Sequence, residues 1–201
     1  MVCTGALRAS CFGSMQYQRR GAMPELTFRL MRGADAPAVA ALHAASWRSV
    51  YRGILSDAFL DGPVNEDRAQ VWDARLQRTD ADTNFGIVAE SDGALAGFVY
   101  VIGNADPRYG TLIDNLHVDP SRRSSGVGPQ LLDVAARGIV SQQLDMRVHL
   151  WVFAANVRAR AFYTRMRGTE VEMIEQPTAE CVPATEFRVA WADASSLLLP
   201  R

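Results

Sequence analysis

The segment Val118–Leu132 reads V-D-P-S-R-R-S-S-G-V-G-P-Q-L-L and joins a strand to a helix through a short loop. An apolar strand ends at Val118, Pro120 breaks it, and an apolar-periodic helix follows the loop. A loop in this position directs free backbone N–H groups at the positive end of a helix, and such a place binds phosphate. Gly126 and Gly128 have no Cβ, so the main chain there can come close to an anion.

Other phosphate-binding patterns do not fit this loop. A dinucleotide fingerprint requires G-x-G-x-x-G, and its third glycine would fall at Leu131. A P-loop requires G-x-x-x-x-G-K-[ST], and the chain contains no lysine. The pattern that remains is R-x-x-G-x-G over residues 123–128, three positions after Pro120.

The composition indicates a single domain with ordinary surface charge. A chain of 201 residues can bury one sizeable core, and a net charge of -1 gives no field that would attract nucleic acid. Cys3, Cys11 and Cys181 lack the spacing of a disulfide framework, which fits a reduced, cytoplasmic setting. No apolar run reaches the roughly 18 residues of a membrane span, and no two of the 3 histidines have ligand spacing. We therefore expect no nucleic acid, membrane or metal partner.

Hydrophobic periodicity and turn signals predict a mixed α/β domain. Helices are expected after Asp35, from Ser56 with a break near Gly62-Pro63, after the glycine loop, and after Asn156. The predicted strands are Leu26–Met31, Phe85–Ala89, Ala94–Ile102, Thr111–Val118, Arg147–Phe153, Gly168–Glu175 and Thr185–Trp191. The order β-α-α-β-β-β-α-β-α-β-β predicts one mixed sheet with helices on both faces.

The predicted domain covers residues 24–196. Residues 1–23 lack a long apolar stretch, so they do not resemble a signal peptide. We expect them to be a disordered leader, or to precede a true start at Met15 or Met23.

Two further motifs, taken with the glycine loop, resemble the GNAT superfamily of N-acetyltransferases, which bind acetyl-coenzyme A. Residues 156–163, N-V-R-A-R-A-F-Y, are similar to the family's N-x-x-A-x-x-F-Y signature, and residues 42–53 resemble its first helix. The resemblance covers Leu26–Asp193. It implies a six- to seven-stranded mixed sheet splayed between strands four and five, and a bacterial, cytoplasmic enzyme that moves an acetyl group from acetyl-CoA to a primary amine by direct attack.

The resemblance also implies where the coenzyme binds. The pantetheine arm would lie in the gap between the two strands, against the main chain of Leu116, His117 and Val118. The residues implied for the rest of the coenzyme are Arg123, Ser124, Ser125, Gly126, Val127, Gly128 and Pro129 in the loop, with Asn156 and Phe162 in the second motif. Ser124 stands where the family most often has glycine, so we expect a negative φ there. Pro129 suits the first turn of a helix but has no N–H to give.

Tyr163 is the candidate general acid, because a phenol can protonate the departing thiolate. Asp114 is the candidate general base. It shares strand parity with Leu116 and Val118, so we expect it to face the acceptor cleft. A surface or pairing aspartate is the equal alternative. His117 has the opposite parity, which predicts that it faces the other side of the sheet.

The acceptor is the least determined part. The resemblance places it between Trp47, Tyr51 and Arg52 on one side and residues 177–183 on the other, and a peptide amine, a polyamine, an aminoglycoside and an amino-acid derivative all remain open. A core position is the alternative for Trp47. A non-catalytic acyl-CoA-binding or regulatory module is the alternative for the whole chain. Exposed edge strands make a homodimer a further expectation.

Overall fold

In this computed structural model, residues 15–16, 26–77, 83–178, 180 and 183–200 are described. The strands are β1 Met15–Gln16, β2 Leu26–Leu30, β3 Asn84–Ser91, β4 Ala94–Asp106, β5 Gly110–Val118, β6 Val148–Phe153, β7 Thr169–Pro177 and β8 Pro183–Trp191. The helices are α1 Ala36–Val50, α2 Asp57–Asp61, α3 Val64–Gln77, α4 Val127–Ser141 and α5 Val157–Arg165. These strands form one sheet in the order β1-β2-β3-β4-β5-β6-β8-β7.

All seven predicted strands are present, and the predicted mixed α/β class is confirmed. The two-residue strand β1 was not predicted; Met15 pairs with Phe28 of β2. The expectation of a disordered leader over residues 1–23 concerns residues that, apart from Met15 and Gln16, lie outside the described part of the chain. It stays a prediction, as do the domain limits 24–196.

The sheet opens between β5 and β6, as the resemblance implied. These two strands are parallel and pair only at Thr111 with Val148 and at Leu112 with His149. On its other side β6 pairs with β8 over all of Val148–Phe153. The stretch Ile113–Val118 therefore runs along a gap, where its main-chain groups are available to a ligand.

Helices cover both faces of the sheet, as predicted. On one face α4 supplies Leu131, Leu132 and Ile139, all fully buried, to a large core that also contains Tyr163 of α5. On the other face α1 and α3 pack through a smaller cluster that includes the fully buried Trp72 of α3. The gap between β5 and β6 is thus reached from both layers of helices.

Local capping explains where the helices near the gap begin. The Ser56 side chain accepts a hydrogen bond from the backbone N–H of Phe59 and starts α2. Asn156 does the same for α5, accepting from the N–H of Ala159 at 3.1 Å. Both caps were expected from the sequence, and the second fixes the turn that enters α5 beside the gap.

Gly138 lets α4 lie close against the sheet. A Cβ at this position would lie 2.6 Å from the ring of Phe85. Gly138→Ala should therefore destabilise the protein by about 1–3 kcal/mol through overpacking, although alanine favours a helix interior over glycine by about 1 kcal/mol. Urea unfolding measures the change. In a Phe85→Leu background the same replacement should cost less, and an equal cost in both backgrounds would show that this contact is not the cause.

Candidate active site

The gap between β5 and β6 widens into a cleft of about 770 Å³, a volume typical of small-molecule sites. The cleft is lined by Ser46, Ser49, Val50 and Tyr51 of α1 and its end, residues 113–118 of β5, Arg122, Arg123, Ser124, Gly126, Gly128 and Pro129 of the loop, residues 150–152 of β6, and Ala155, Asn156, Val157, Arg158, Ala159, Phe162, Tyr163, Arg165 and Met166. It runs from the glycine loop to the C-terminal end of α1.

The glycine loop has the geometry of an anion site. Gly126 is the N-cap of α4 with φ 89°, and no side chain caps this end. The first backbone N–H groups of a helix have no partner within it, so those of Val127 and Gly128 are free to meet a ligand. Pro129 follows in the first turn, as predicted, and contributes none. A Cβ at Gly128 would lie 3.3 Å from the ring of Phe162, a tight contact that a small shift of the ring would have to relieve.

Ser124 does not have the expected backbone conformation. Its φ is 68°, in the left-handed region, so the expectation of a negative φ was wrong. Arg123 before it is extended, and the chain must reverse direction within two residues to reach the N-cap of α4. Serine takes the strained conformation that glycine usually takes, and its Oγ accepts a hydrogen bond from Arg158 Nη2 at 3.3 Å.

Arg123 carries an unpaired buried donor. Its Nη1 donates to Ser49 Oγ at 2.6 Å, but its Nη2 is buried and has no hydrogen-bond partner among the described residues. Burial, with a smaller contribution from Arg158, lowers the pKa of this guanidinium. An unsatisfied buried donor is costly, and a phosphate oxygen would satisfy it through a charge-assisted bond. The residues present therefore fit a diphosphate group.

Three further arginines line the same cleft, and none was singled out from the sequence. Arg122 is in the loop, and Arg158 and Arg165 are on α5. The sequence contains a signal for two of them, because Arg158 and Arg165 are seven residues apart and residues with this spacing lie on one face of a helix. Together with Arg123 these side chains make the outer part of the cleft basic.

A β-bulge changes which side chains of β5 face the cleft. Tyr100 pairs with Asn115 and Val101 with Ile113, so Asp114 is an extra residue without a partner on β4. The parity argument for Asp114 was therefore wrong: it lies on the α1 and α3 face, opposite to Leu116 and Val118, which pack against the large core. Asp114 still lines the cleft, but for this different reason.

The carboxylate of Asp114 is already engaged. Arg75 Nη1 of α3 lies 2.6 Å from its Oδ2, although the angle is too poor for a directed hydrogen bond. The side-chain amide of Asn115 also donates to Oδ2. The carboxylate therefore already has two partners, one on α3 and one beside it on β5.

His117 lies on the opposite side of the sheet from Leu116 and Val118, as its parity predicts, and it nevertheless lines the cleft. Its Nδ1 lies 3.0 Å from Ser46 Oγ of α1, and its ring stacks at 4.3 Å on that of His43. Burial, with Arg68 as a smaller cause, lowers the pKa of His117 to about 3. The ring is therefore uncharged at neutral pH. The cleft therefore extends to the α1 face as well as to the face of α5.

Two tyrosines face the cleft from opposite sides. Tyr163 of α5 is 8% exposed and packs edge-on against Trp191. Burial, with a smaller effect of Tyr51, raises its pKa above the ordinary value of about 10. Burial likewise raises the pKa of Tyr51 to about 12, with Glu186 as the next cause. Both phenols therefore keep their protons at neutral pH.

The remaining predicted residues divide between the cleft and its surroundings. Asn156, Phe162 and the main chain of residues 116–118 line it, whereas Ser125 and Val127 do not. Of the predicted acceptor residues, Tyr51 lines the cleft and the other two lie outside it.

Trp47 and Arg52 have other partners. Arg68 lies over the ring of Trp47 at 4.1 Å, which agrees with the packed alternative for this residue. Arg52 is half-exposed and pairs with Asp57 and Asp61 of α2.

The predicted loop over residues 177–183 is only partly described, since residues 179, 181 and 182 lie outside the described residues. Within it, Glu180 accepts a hydrogen bond from the backbone N–H of Ser56 at 2.8 Å. The Ser56 hydroxyl also bonds the same carboxylate. This contact connects the loop before β8 to the start of α2, across the α1 side of the sheet.

The sequence comparisons show the family. The pattern of the Acetyltransferase (GNAT) family matches residues 44–169, more than half of the 201 residues. The chain therefore belongs to this family. No curated protein matches the chain in sequence.

Solved structures share the fold at low sequence identity. PaiA N-acetyltransferase of Thermoplasma acidophilum, in complex with coenzyme A, has a TM-score of 0.62 at 18% identity, over 80% of this chain and 97% of that one. An N-acetyltransferase of Staphylococcus aureus has 0.61 at 18%, over 84% and 98%. YncA of Salmonella typhimurium, with its cofactor acetyl-CoA, has 0.59 at 15%, over 84% and 94%. At these identities the likeness establishes the fold alone.

The described part of the chain contains neither a metal-binding cluster nor a membrane-spanning helix. No group of three or more His, Cys, Asp or Glu side chains there could hold a metal ion. No helix within it is both long and apolar enough to cross a membrane.

Ser124 gives a test of the loop geometry. Ser124→Gly should stabilise the folded protein by about 1 kcal/mol, because glycine adopts a positive φ without steric cost. Ser125→Gly is the matched control: this neighbour does not have a positive φ, so it should gain nothing. Urea unfolding of both variants measures the difference. Equal effects in the two would mean that Ser124 is not strained.

Proposed function

We propose that this protein is an acetyl-CoA-dependent N-acetyltransferase, in which a bound primary amine attacks the thioester directly. One observation supports this above the others: Arg123 holds a buried, unpartnered N–H beside the free N-terminus of α4, in the cleft that Tyr163 also lines. The coenzyme A and acetyl-CoA complexes of the Thermoplasma and Salmonella proteins belong to structures of the same fold. We also propose that the protein acts in the reduced cytoplasm of a bacterium and that it forms a homodimer through an exposed strand edge.

Binding of the coenzyme is assigned to the loop and the open edge of β5. The diphosphate would accept hydrogen bonds from the N–H groups of Val127 and Gly128 and from Arg123. Ser124 and Ser125, which the sequence analysis also assigned to the coenzyme site, belong to the same turn. The basic side chains of Arg122, Arg158 and Arg165 would hold the remaining phosphate of the coenzyme, the one on its ribose. The pantetheine amides would pair with the main chain of residues 116–118, which β6 leaves free.

Acetyl transfer has three requirements, and this chain has a candidate for each of them. A backbone N–H near Val118 would stabilise the negative charge that develops on the acetyl oxygen, a contribution of about 3 kcal/mol in comparable sites. Tyr163 would protonate the leaving thiolate, since burial keeps its hydroxyl protonated. The third requirement is removal of a proton from the acceptor ammonium. Asp114 is the candidate that the sequence offers for this step, and its carboxylate is paired with Arg75.

A panel of amines tests the proposal. The protein is supplied with acetyl-CoA and with an aromatic amine, a polyamine, an aminoglycoside or a short peptide with a free N-terminus, and release of free thiol is followed. We expect binding of acetyl-CoA and amine-dependent thiol release with at least one class. Tight binding with no thiol released by any amine would contradict an enzyme and favour the non-catalytic acyl-CoA-binding module. No affinity for any acyl-CoA would contradict both.

Tyr163→Phe tests the general acid. The substitution keeps the ring that packs against Phe162 and Trp191 but removes the proton, so turnover should fall about 100-fold or more. The affinity for acetyl-CoA, measured by calorimetry, should not change. Tyr109→Phe is the control, because Tyr109 lies outside the cleft under Arg188. Unchanged turnover in Tyr163→Phe would remove the role assigned to this residue.

A further inference from the structure

Glu186 of β8 is a carboxylate that has no counter-ion within the described part of the chain. Its neighbours on the adjacent strands are apolar: Phe153 on β6 and Ile174 on β7. The side chain is half-buried, and it forms no ion pair or hydrogen bond with any described residue. Burial alone raises its pKa. Desolvating a carboxylate without compensation is costly, so this position requires a reason.

The position of Glu186 connects it to the cleft. Its neighbour Phe153 meets the ring of Tyr51 edge-on at 5.0 Å, and Tyr51 lines the cleft. Trp151 is two residues before Phe153, on the same face of β6, and it lines the cleft as well. After burial, Glu186 is the largest influence that raises the pKa of Tyr51. Glu186 shares a face of the sheet with its strand partner Phe153, on the side where Phe153 meets Tyr51, although it is not itself among the residues that line the cleft.

The cation nearest in sequence is committed elsewhere. Arg188, two residues further along the same face of β8, donates to Glu172 at 2.7 Å and to Asp106 at 3.1 Å. Its guanidinium also lies 4.3 Å above the ring of Trp151. These contacts hold Arg188 away from Glu186, and they explain why a carboxylate next to an arginine in the strand remains unpaired.

The other carboxylates on this side are engaged too. Asp114 is paired with Arg75, and Glu180 is bonded to Ser56. Among these three acidic side chains, Glu186 is the one whose charge no described residue compensates. It is therefore the group on which a cation from outside the chain would gain most.

We propose that Glu186 binds the ammonium group of the acceptor, beside the ring of Tyr51, and takes a proton from it before the attack. The inference rests on the proposed function and makes it more specific: the acceptor is an alkyl amine that is positively charged in solution. The carboxylate of Glu186 has two aromatic rings in its neighbourhood, those of Tyr51 and Phe153, which meet edge-on. Such a combination suits an ammonium group on an apolar body.

The protons balance in this scheme. The acceptor ammonium has three. One goes to the carboxylate of Glu186, which leaves a neutral amine whose lone pair forms the C–N bond. One remains on the amide nitrogen of the product. The third is released when the C–S bond breaks and replaces the proton that Tyr163 gives to the thiolate. Glu186 then returns its proton to solvent, so the net reaction produces the acetamide, free coenzyme A and one proton.

Glu186→Gln, compared on two amines, tests the proposal. The first is the most active alkyl amine of the panel, and the second is its β,β-difluorinated analogue, whose ammonium is acidic enough that a large fraction of the amine is uncharged at neutral pH. With the alkyl amine, kcat/KM for thiol release should fall about 100-fold, the usual range for loss of a general base. With the fluorinated amine the loss should be at least tenfold smaller, because its attacking form needs no proton removed. The affinity for acetyl-CoA should be unchanged. Glu175→Gln, an exposed carboxylate on the neighbouring strand, is the control and should match the unsubstituted protein on both amines.

Two results would overturn the assignment of Glu186. One is an unchanged kcat/KM with the alkyl amine, and the other is an equal loss on both amines, as a merely structural role would give. Failure of the proposed function is distinguishable, because the unsubstituted protein would then release no thiol with any amine.

Discussion

β5 and β6 share two paired residues on each strand, at Thr111–Val148 and Leu112–His149, and then separate. In a complete sheet the main-chain groups of Ile113–Val118 would pair with β6, and here they border a cleft instead. Unpaired backbone groups that are shielded from water require another partner. A ligand that is itself extended and amide-bearing meets this requirement, and the same opening lets side chains from both layers of helices reach one space.

The two ends of this opening have different chemistry. The outer end holds the glycine loop, the start of α4 and the arginines around Arg123, so it suits phosphate. On the α1 side the cleft is lined by Tyr51, whose ring meets that of Phe153, and the strand partner of Phe153 is Glu186, a carboxylate that pairs with no described residue. Tyr163 reaches the cleft from the opposite layer. A transfer from a phosphorylated carrier to an amine requires a site for an anion at one end and a site for a cation at the other.

Local patterns predicted much of this structure. The strands, the caps at Ser56 and Asn156 and the start of α4 depend on residues close in sequence, whose hydrogen bonds and periodicity act within a few positions. The resemblance of three motifs supplied the family and the opening of the sheet. Predictions based on strand alternation were less secure. One extra residue at Asp114 shifts the faces of β5, and no local signal marks a bulge, which arises from the register with β4.

By itself, the sequence determined the order of the elements, the anion-binding turn and the position of Tyr163 in the second motif, because each depends on residues close together in the chain. Only the tertiary structure decided which charges are free. Arg75 reaches Asp114 from α3, and Arg188 is held by residues of β4 and β7, contacts that span large distances in sequence. Whether a carboxylate is paired or available depends on such contacts, and so Glu186 became visible as a candidate only when the strands and helices were in place.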